Sequence, residues 1–180
     1  MRAGCQRRRE SRSWGVLGRV FSTTRIGMSS GLAFNEDYGD VTDVTRMLYL
    51  EPDMAGFAGS MPATAGPGEE FSYSSGTANL LARIWQNAVG DPALAAAWPR
   101  DHLFAPLGMA SATLEMDARG TFTGSSYLYA TGHDWVRFGQ MLLQDGVWNG
   151  SPLLPPGWVA MMRTANPVSD SGFGAEYTKG

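Results

Sequence analysis

The run Phe71-Ser72-Tyr73-Ser74-Ser75 holds the side chains of this sequence that are best suited to proton-transfer chemistry. It follows a Pro67-Gly68 turn and precedes a segment with helical apolar periodicity, so it stands where a loop enters a helix. A tyrosine at such a junction can direct its phenol into a cleft while its ring stays packed. Tyr73 is therefore a candidate functional residue, and the alternative interpretation is a half-buried tyrosine that covers the start of a helix.

Both histidines, His102 and His133, stand beside an aspartate, Asp101 and Asp134 respectively. Imidazole and carboxylate groups bind metals, but a metal site needs further ligands that converge on one point, and the spacing here supplies none. We expect no metal and no other cofactor. Asp134 is better interpreted as the third helical residue of a capping box that begins at Thr131.

The composition is typical of a soluble globular protein, and it excludes a membrane-spanning helix and an intrachain disulfide. The 180 residues are 43% hydrophobic and 17% charged, and no run approaches the roughly 18 apolar residues of a membrane-spanning helix. The single cysteine, Cys5, excludes an intrachain disulfide. No secretory signal is convincing, because the apolar stretch 14–21 is short and interrupted by Arg19.

The first 26 residues differ in character from the rest. Residues 1–25 hold seven arginines and one acid, Glu10, whereas residues 26–180 hold seven basic and sixteen acidic residues. Four interpretations stay open: a solvated basic arm, a nucleic-acid-binding arm, a transit peptide, and translation from a wrong frame or start. We expect a domain boundary between a basic arm over 1–26 and a domain over 27–180, and no nucleic-acid partner.

Helix signals are regular from residue 42 onward. The pattern predicts a helix over 42–50 that buries Val44, Met47 and Leu48, and a long functional loop over 56–68. A second helix is predicted over 75–89, ended by Gly90, and a third begins at Asp91-Pro92 and is ended or kinked by Pro99. The predicted buried stripe of the second helix consists of Leu80, Leu81, Ile84, Trp85 and Ala88.

Further helices are predicted over 131–145 and 157–163. The first should bury Trp135, Phe138, Met141 and Leu142, and Asn149-Gly150 predicts a tight hairpin between the two helices. Strand-like alternation is confined to 111–116, 122–128 and 172–177. Such a chain is typical of the helical half of an α/β enzyme.

Four runs, in this order and spacing, resemble the β-lactamase-related serine hydrolases, a family that includes class C β-lactamases, penicillin-binding carboxypeptidases, esterases and 6-aminohexanoate-dimer hydrolases. They are Met28-Ser29-Ser30-Gly31-Leu32, Phe71-Ser72-Tyr73-Ser74, the run 103–109, and the run 138–143 followed by 146–150. The resemblance implies a partial α/β (α+β) serine β-lactamase and penicillin-binding-protein-like fold, mostly its helical subdomain with few strands. It also implies cleavage of an ester or an amide, whether a lactam or a linear amide, through an acyl-serine intermediate.

The resemblance assigns Tyr73 to the general-base position and suggests Ser75 and Tyr38 as substrate-binding residues. Ser75 stands where the lactamases prefer asparagine. Tyr38 lies in the run 35–38, which loosely resembles the nylon-oligomer hydrolases, and Asp37 and Asp40 share that loop. A solvated loop is the alternative for these three residues.

Two motifs of the resembled family are missing from the printed sequence. No Ser-x-x-Lys occurs, because the only lysine is Lys179 and Glu176 stands three residues before it; no Lys-x-Gly or His-x-Gly occurs either. Ser22, followed three residues later by Arg25, is a poor substitute, since arginine does not lose its proton near neutral pH.

We therefore expect a truncated or frame-disrupted family member that is inactive alone. The parent enzyme would act on a small ester or amide. A non-catalytic pseudoenzyme or partner-binding helical module is the alternative. The compartment stays open: the chain as translated reads as cytoplasmic, although members of the resembled family are often exported.

Overall fold

The computed structural model describes residues 27–166 and 168, and the regular secondary structure of this part is mainly helical. Its helices are α1 (Asp43–Leu50), α2 (Met54–Gly59), α3 (Ser75–Val89), α4 (Pro92–Pro99), a π-helical turn (Arg100–Phe104), α5 (Ala105–Leu107), α6 (Gly132–Leu143) and α7 (Trp158–Met162). Two antiparallel pairs of short strands complete it: β1 (Thr113–Leu114) with β2 (Leu128–Tyr129), and β3 (Val147–Trp148) with β4 (Ser151–Pro152). None of the described helices combines the length and the apolar character needed to cross a bilayer.

The first core lies between α1, α2 and α3. Val44, Met47 and Leu48 on α1 are buried, as the periodicity of that segment predicts. They pack with Phe34, Met54 and Ala58. Gly76 lets α3 approach this core, because a Cβ at that position would lie 2.7 Å from the Phe34 ring.

The second core joins the π-helical turn and α5 to α6 and the second hairpin. Its buried members are Phe104, Leu107, Met109, Ala112 and Met141. Asp91 caps α4 by accepting hydrogen bonds from the Ala93 and Leu94 amides at 2.8 and 3.0 Å, which confirms the predicted start of this unit.

Two sequence expectations about burial and loops are wrong in detail. The predicted loop over 56–68 begins inside α2, whose N-cap is Asp53. In α3 the buried residues are Ser75, Gly76, Thr77 and Asn79, whereas the predicted apolar stripe is at most half-buried and Ile84 is 39% exposed. The reason is that α2 and the 27–32 segment pack against the polar first half of the helix, where small side chains permit close contact.

The start of α6 also differs from expectation. Thr131 accepts a hydrogen bond from the Asp134 amide at 3.4 Å, but the Asp134 carboxylate bonds to Ser111 and Arg137 instead of closing the capping box. Trp135 is 42% exposed, while Met141 is fully buried. Trp135 therefore lies at the margin of the second core.

The two strand pairs lie at or next to the segments that turn residues and alternation predict. β1 lies within the predicted segment 111–116, β2 shares only Leu128 with the predicted segment 122–128, and an isolated bridge joins Met116 to Phe122. The β3–β4 turn has φ angles of 48° at Asn149 and 77° at Gly150, the left-handed pair that an Asn-Gly hairpin requires. The third predicted strand, 172–177, lies outside the described residues.

Candidate active site

Two backbone hydrogen bonds hold the segment that leads to Tyr73 against residues 28 and 29. The Ser72 amide donates to the Met28 carbonyl oxygen at 2.7 Å, and the Gly68 amide donates to that of Ser29 at 2.7 Å. Gly31 allows this close approach: its φ is +78°, and an added Cβ would lie 2.1 Å from the Ala65 carbonyl oxygen. The first two resembling runs are thus neighbours in the fold.

Tyr73 lies directly before the first turn of α3. Ser74 is the N-cap residue, and its Oγ accepts from the Thr77 amide at 3.1 Å. The Thr77 hydroxyl donates to Ser30 Oγ at 2.8 Å, which ties the helix start to the 27–32 segment. Tyr73 is 41% exposed, while the backbone on either side of it is fixed.

A carboxylate that was not singled out in the sequence organises the neighbouring loop. Glu36 accepts hydrogen bonds from the Ser75 amide at 2.8 Å, from the Ser75 hydroxyl, and from the Tyr38 hydroxyl at 3.2 Å. A carboxylate is favoured at this place because it meets the positive end of the α3 dipole. Ser75, which is 5% exposed, is therefore committed to Glu36, and Tyr38 is brought to the same group.

Tyr38 is 57% exposed and stays protonated at neutral pH. The pKa of its phenol is raised, chiefly by partial burial and further by the Glu36 carboxylate, while the contact with Ser75 works in the opposite direction. A neutral phenol has one proton, which Tyr38 donates to Glu36, and an oxygen that can still accept a hydrogen bond. Tyr38 is thus suited to accept a hydrogen bond from a bound molecule.

Asn79 connects α3 to the loop before β2. Its Nδ2 donates to the Ser75 carbonyl oxygen at 2.9 Å and to Ser125 Oγ at 3.0 Å, and its Oδ1 accepts from the Gly124 amide at 3.2 Å. The side chain is fully buried. Asn79 is a hydrogen bonder at the start of the helix, and its reach to Ser125 has no sequence signal.

The other singled-out residues lie apart from this site. His102 stacks on Trp98 with 4.8 Å between ring centroids, and His133 is exposed. Asp37 and Asp40 accept hydrogen bonds from the amides of Gly39 and Val41 within their own loop.

In the described part of the chain no three His, Cys, Asp or Glu residues are grouped so as to hold a metal ion. Ser22 and Lys179 lie outside the described residues.

Asp134 is a structural acid. Its pKa is lowered, first by the Ser111 hydroxyl, with further contributions from the Ser111 amide and from Arg137. The carboxylate thus ties the start of α6 to the segment before β1.

Two solved structures share this architecture. One is described as a "putative beta-lactamase from Bacteroides dorei DSM 17855", with a TM-score of 0.60 at 20% identity; the alignment covers 86% of this chain and 49% of that one. The other is described as a "putative 6-aminohexanoate-dimer hydrolase from Bacillus anthracis", with a TM-score of 0.66 at 22% identity, covering 84% of this chain and 42% of that one. The chain thus spans half or less of each of these two structures. No curated protein matches it.

The family comparison agrees with the fold. The model of the β-lactamase family matches residues 27–180, which include the segment around Met28, the start of α3 and both hairpins. The likeness to the solved structures independently shows a β-lactamase-like fold, of which this chain carries a helix-rich part with short strands. The chain belongs to the β-lactamase family.

Proposed function

We propose that this chain supplies the helical wall of a serine hydrolase that cleaves a small ester or amide through an acyl-serine intermediate. The observation that carries the proposal is the placement of Tyr73, exposed and directly before the N-cap of α3, on backbone held by Met28. Membership in the β-lactamase family supports the reaction class. Tyr73 takes the role of proton carrier.

The proposed reaction needs a nucleophilic serine, which the described residues do not identify. As the serine oxygen bonds to the substrate carbonyl carbon, Tyr73, acting as its phenolate, accepts the serine proton. When the bond from that carbon to the leaving group breaks, Tyr73 returns the proton to the departing alcohol or amine and is a phenolate again. Water repeats the sequence on the acyl-serine ester and releases the acid. Tyr38, whose proton is donated to Glu36 at 3.2 Å, accepts a hydrogen bond from the substrate, while Ser75 holds Glu36 and so fixes the loop that presents Tyr38.

The 180-residue chain alone is proposed to be inactive. Its sequence contains no Ser-x-x-Lys and no Lys-x-Gly or His-x-Gly, so a Tyr73 phenol has no lysine-activated serine to serve. The chain should give no covalent labelling with a fluorophosphonate probe and no release of nitrophenol from p-nitrophenyl butyrate above a buffer blank. Labelling of one serine that disappears in Tyr73→Phe, but persists in the exposed control Tyr49→Phe, would show that the chain is active.

A second experiment tests the role of Tyr73 itself. The DNA on both sides of the coding region is translated in all three forward frames, and a product that restores an upstream Ser-x-x-Lys and a downstream Lys-x-Gly or His-x-Gly is expressed. Tyr73→Phe in that product should lower kcat by about 10²- to 10⁴-fold, the range typical of general acid–base groups. An unchanged kcat would remove Tyr73 from the mechanism, and finding neither motif would favour the non-catalytic alternative.

The alternative, a partner-binding helical module, is favoured by one surface. A groove of about 770 Å³ lies between α6 and α7 and is lined by Leu142, Val159 and Met162 among others. Leu143 at its edge is 84% exposed, and exposed apolar surface of this kind often marks a protein contact. Self-association that is removed by Leu143→Asp, measured by light scattering, would support this alternative; a monodisperse monomer with no such contact would count against it.

A further inference from the structure

The first residue that the structure describes, Gly27, is joined to one of the last, Asn166. The side-chain amide nitrogen of Asn166 donates a hydrogen bond to the Gly27 carbonyl oxygen, across 139 positions of the sequence. The amide oxygen of the same side chain accepts from the Val168 amide at 3.3 Å. Asn166 is 6% exposed, so a buried side chain that follows α7 has both ends of its amide engaged.

The contact between Asn166 and Gly27 depends on the missing side chain of the glycine. A Cβ built at Gly27 would lie 2.5 Å from Asn166 Nδ2 and 3.0 Å from its Cγ, closer than Cβ atoms in proteins approach another heavy atom. Gly27 is itself buried, and a buried carbonyl oxygen that loses its donor costs free energy. Asn166 therefore holds the Gly27 backbone at a defined place.

The next residue, Met28, carries this constraint toward Tyr73. Its φ is 50°, a left-handed conformation that a residue other than glycine keeps only where its surroundings enforce it. The Met28 carbonyl oxygen accepts from the Ser72 amide at 2.7 Å, and Ser72 directly precedes Tyr73. Two hydrogen bonds and two peptide links therefore connect Asn166 to Tyr73.

We propose that Asn166 is a positioning residue for Tyr73. The N-cap of α3 holds the chain after Tyr73, and Asn166, through Gly27 and Met28, sets where the chain before it lies. The functional part of this inference rests on the role proposed above for Tyr73. A misplacement of about 1 Å can lower a catalysed rate about 10²-fold, so a residue that touches neither substrate nor reacting atoms can still control the rate.

The first test follows Tyr73 in the 180-residue chain and does not need an active enzyme. The chain is produced with fluorotyrosine, which gives six fluorine resonances, one for each tyrosine, and the resonance lost in Tyr73→Phe belongs to Tyr73. Asn166→Ala should shift this resonance by more than its linewidth, whereas the resonance of Tyr49 on α1, which is 68% exposed, should stay in place. An unmoved Tyr73 resonance would overturn the proposal.

Two further variants separate positioning from loss of stability. Met141→Ala removes a fully buried side chain of the second core and should destabilise the chain without moving the Tyr73 resonance; a shift as large as that in Asn166→Ala would overturn the proposal. Gly27→Ala places a Cβ 2.5 Å from Asn166 Nδ2 and should also shift the resonance, so it decides the matter if Asn166→Ala does not fold. Adding Gly27→Ala to Asn166→Ala should shift it no further, because the clash needs the asparagine.

The second test measures the rate in the product that restores the two missing motifs. There Asn166→Ala should lower kcat about 10- to 100-fold and leave KM within about twofold of the parent, since Asn166 makes no substrate contact. An unchanged kcat, in a product where Tyr73→Phe does lower kcat, would overturn the positioning role alone. An unchanged kcat in Tyr73→Phe would refute the proposed function instead, and the fluorine resonance would still decide whether Asn166 places Tyr73.

Discussion

Replacement of Asn79 by alanine should destabilise the protein more than any surface change on the same helix. Asn79 is fully buried, and its side-chain amide makes hydrogen bonds of 2.9, 3.0 and 3.2 Å to the Ser75 carbonyl oxygen, the Ser125 hydroxyl and the Gly124 amide. Alanine removes all three. It also leaves a cavity next to Met47, whose Sδ lies 4.0 Å from Asn79 Nδ2.

The magnitude follows from these contacts. Each neutral hydrogen bond contributes about 0.5–1.5 kcal/mol net, but Gly124 is exposed and Ser125 half-buried, so their polar groups regain water in the variant. The Ser75 carbonyl oxygen belongs to a buried residue. With a cavity contribution of about 1 kcal/mol, the expected loss in the free energy of unfolding is about 2–4 kcal/mol for Asn79→Ala.

Urea unfolding followed by tryptophan fluorescence measures this loss. A lower midpoint with an unchanged slope m shows that the stability has changed and not the surface exposed on unfolding. Asn87→Ala is the matched control, since Asn87 lies on the same helix and is exposed; it should change stability by no more than about 0.5 kcal/mol. Combining Asn79→Ala with Ser125→Ala should reveal a coupling of about 0.5–1.5 kcal/mol. A loss for Asn79→Ala below about 1 kcal/mol, or one equal to the control's, would refute the assignment of Asn79 as a structural link.

Two further predictions concern an acid and a glycine. The Gly56 amide first, and then Arg83 and Arg119, lower the pKa of Asp53 below its usual 3.8. Asp53 therefore contributes stability above pH 3.8, and this contribution is lost as the pH falls through the lowered pKa. The Tm of Asp53→Asn, measured by circular dichroism, should fall less steeply on acidification than that of the parent, and an equally steep fall would contradict this. Gly31→Ala should lower the free energy of unfolding in urea by more than about 2 kcal/mol, because it combines a positive φ with a clash at 2.1 Å. The control Gly150→Ala has a φ of +77° and nothing near its Cβ, so it should lower that free energy by only about 1 kcal/mol. Similar losses in the two variants would show that the clash at Gly31 is relieved.

The parts of the fold that depend on short-range order could be predicted from the sequence. The helix 43–50 has its apolar residues on one face, and Asn149-Gly150 has the two residues that a two-residue hairpin turn requires. Gly90, with a φ of 88°, ends α3 where expected. These features are local, because each follows from side chains within about four residues of one another.

The contacts that build the candidate site could not be predicted in this way. Glu36 and Ser75 are 39 residues apart, and Asn79 and Ser125 are 46 apart. No periodicity in the sequence relates such positions, because the pairing depends on how α1, α3 and the loop before β2 pack together. The burial of α3 was mispredicted for the same reason: the helix buries hydroxyl and amide groups in its first half, where an apolar stripe is normally sought.

That polar first half explains how the surroundings of Tyr73 keep one arrangement. An apolar contact between α3 and its neighbouring loops would permit sliding, whereas each hydrogen bond from Ser75, Thr77 and Asn79 reaches one acceptor or donor at a defined place. Losing a partner would leave a buried polar group unpaired, and this cost disfavours every other arrangement of the loops. The helix thus ties three separate segments to its first two turns: 27–32 through Thr77, 35–38 through Ser75 and 124–127 through Asn79. The polar character of these positions therefore specifies where each segment packs, which an apolar contact of the same area would leave less defined.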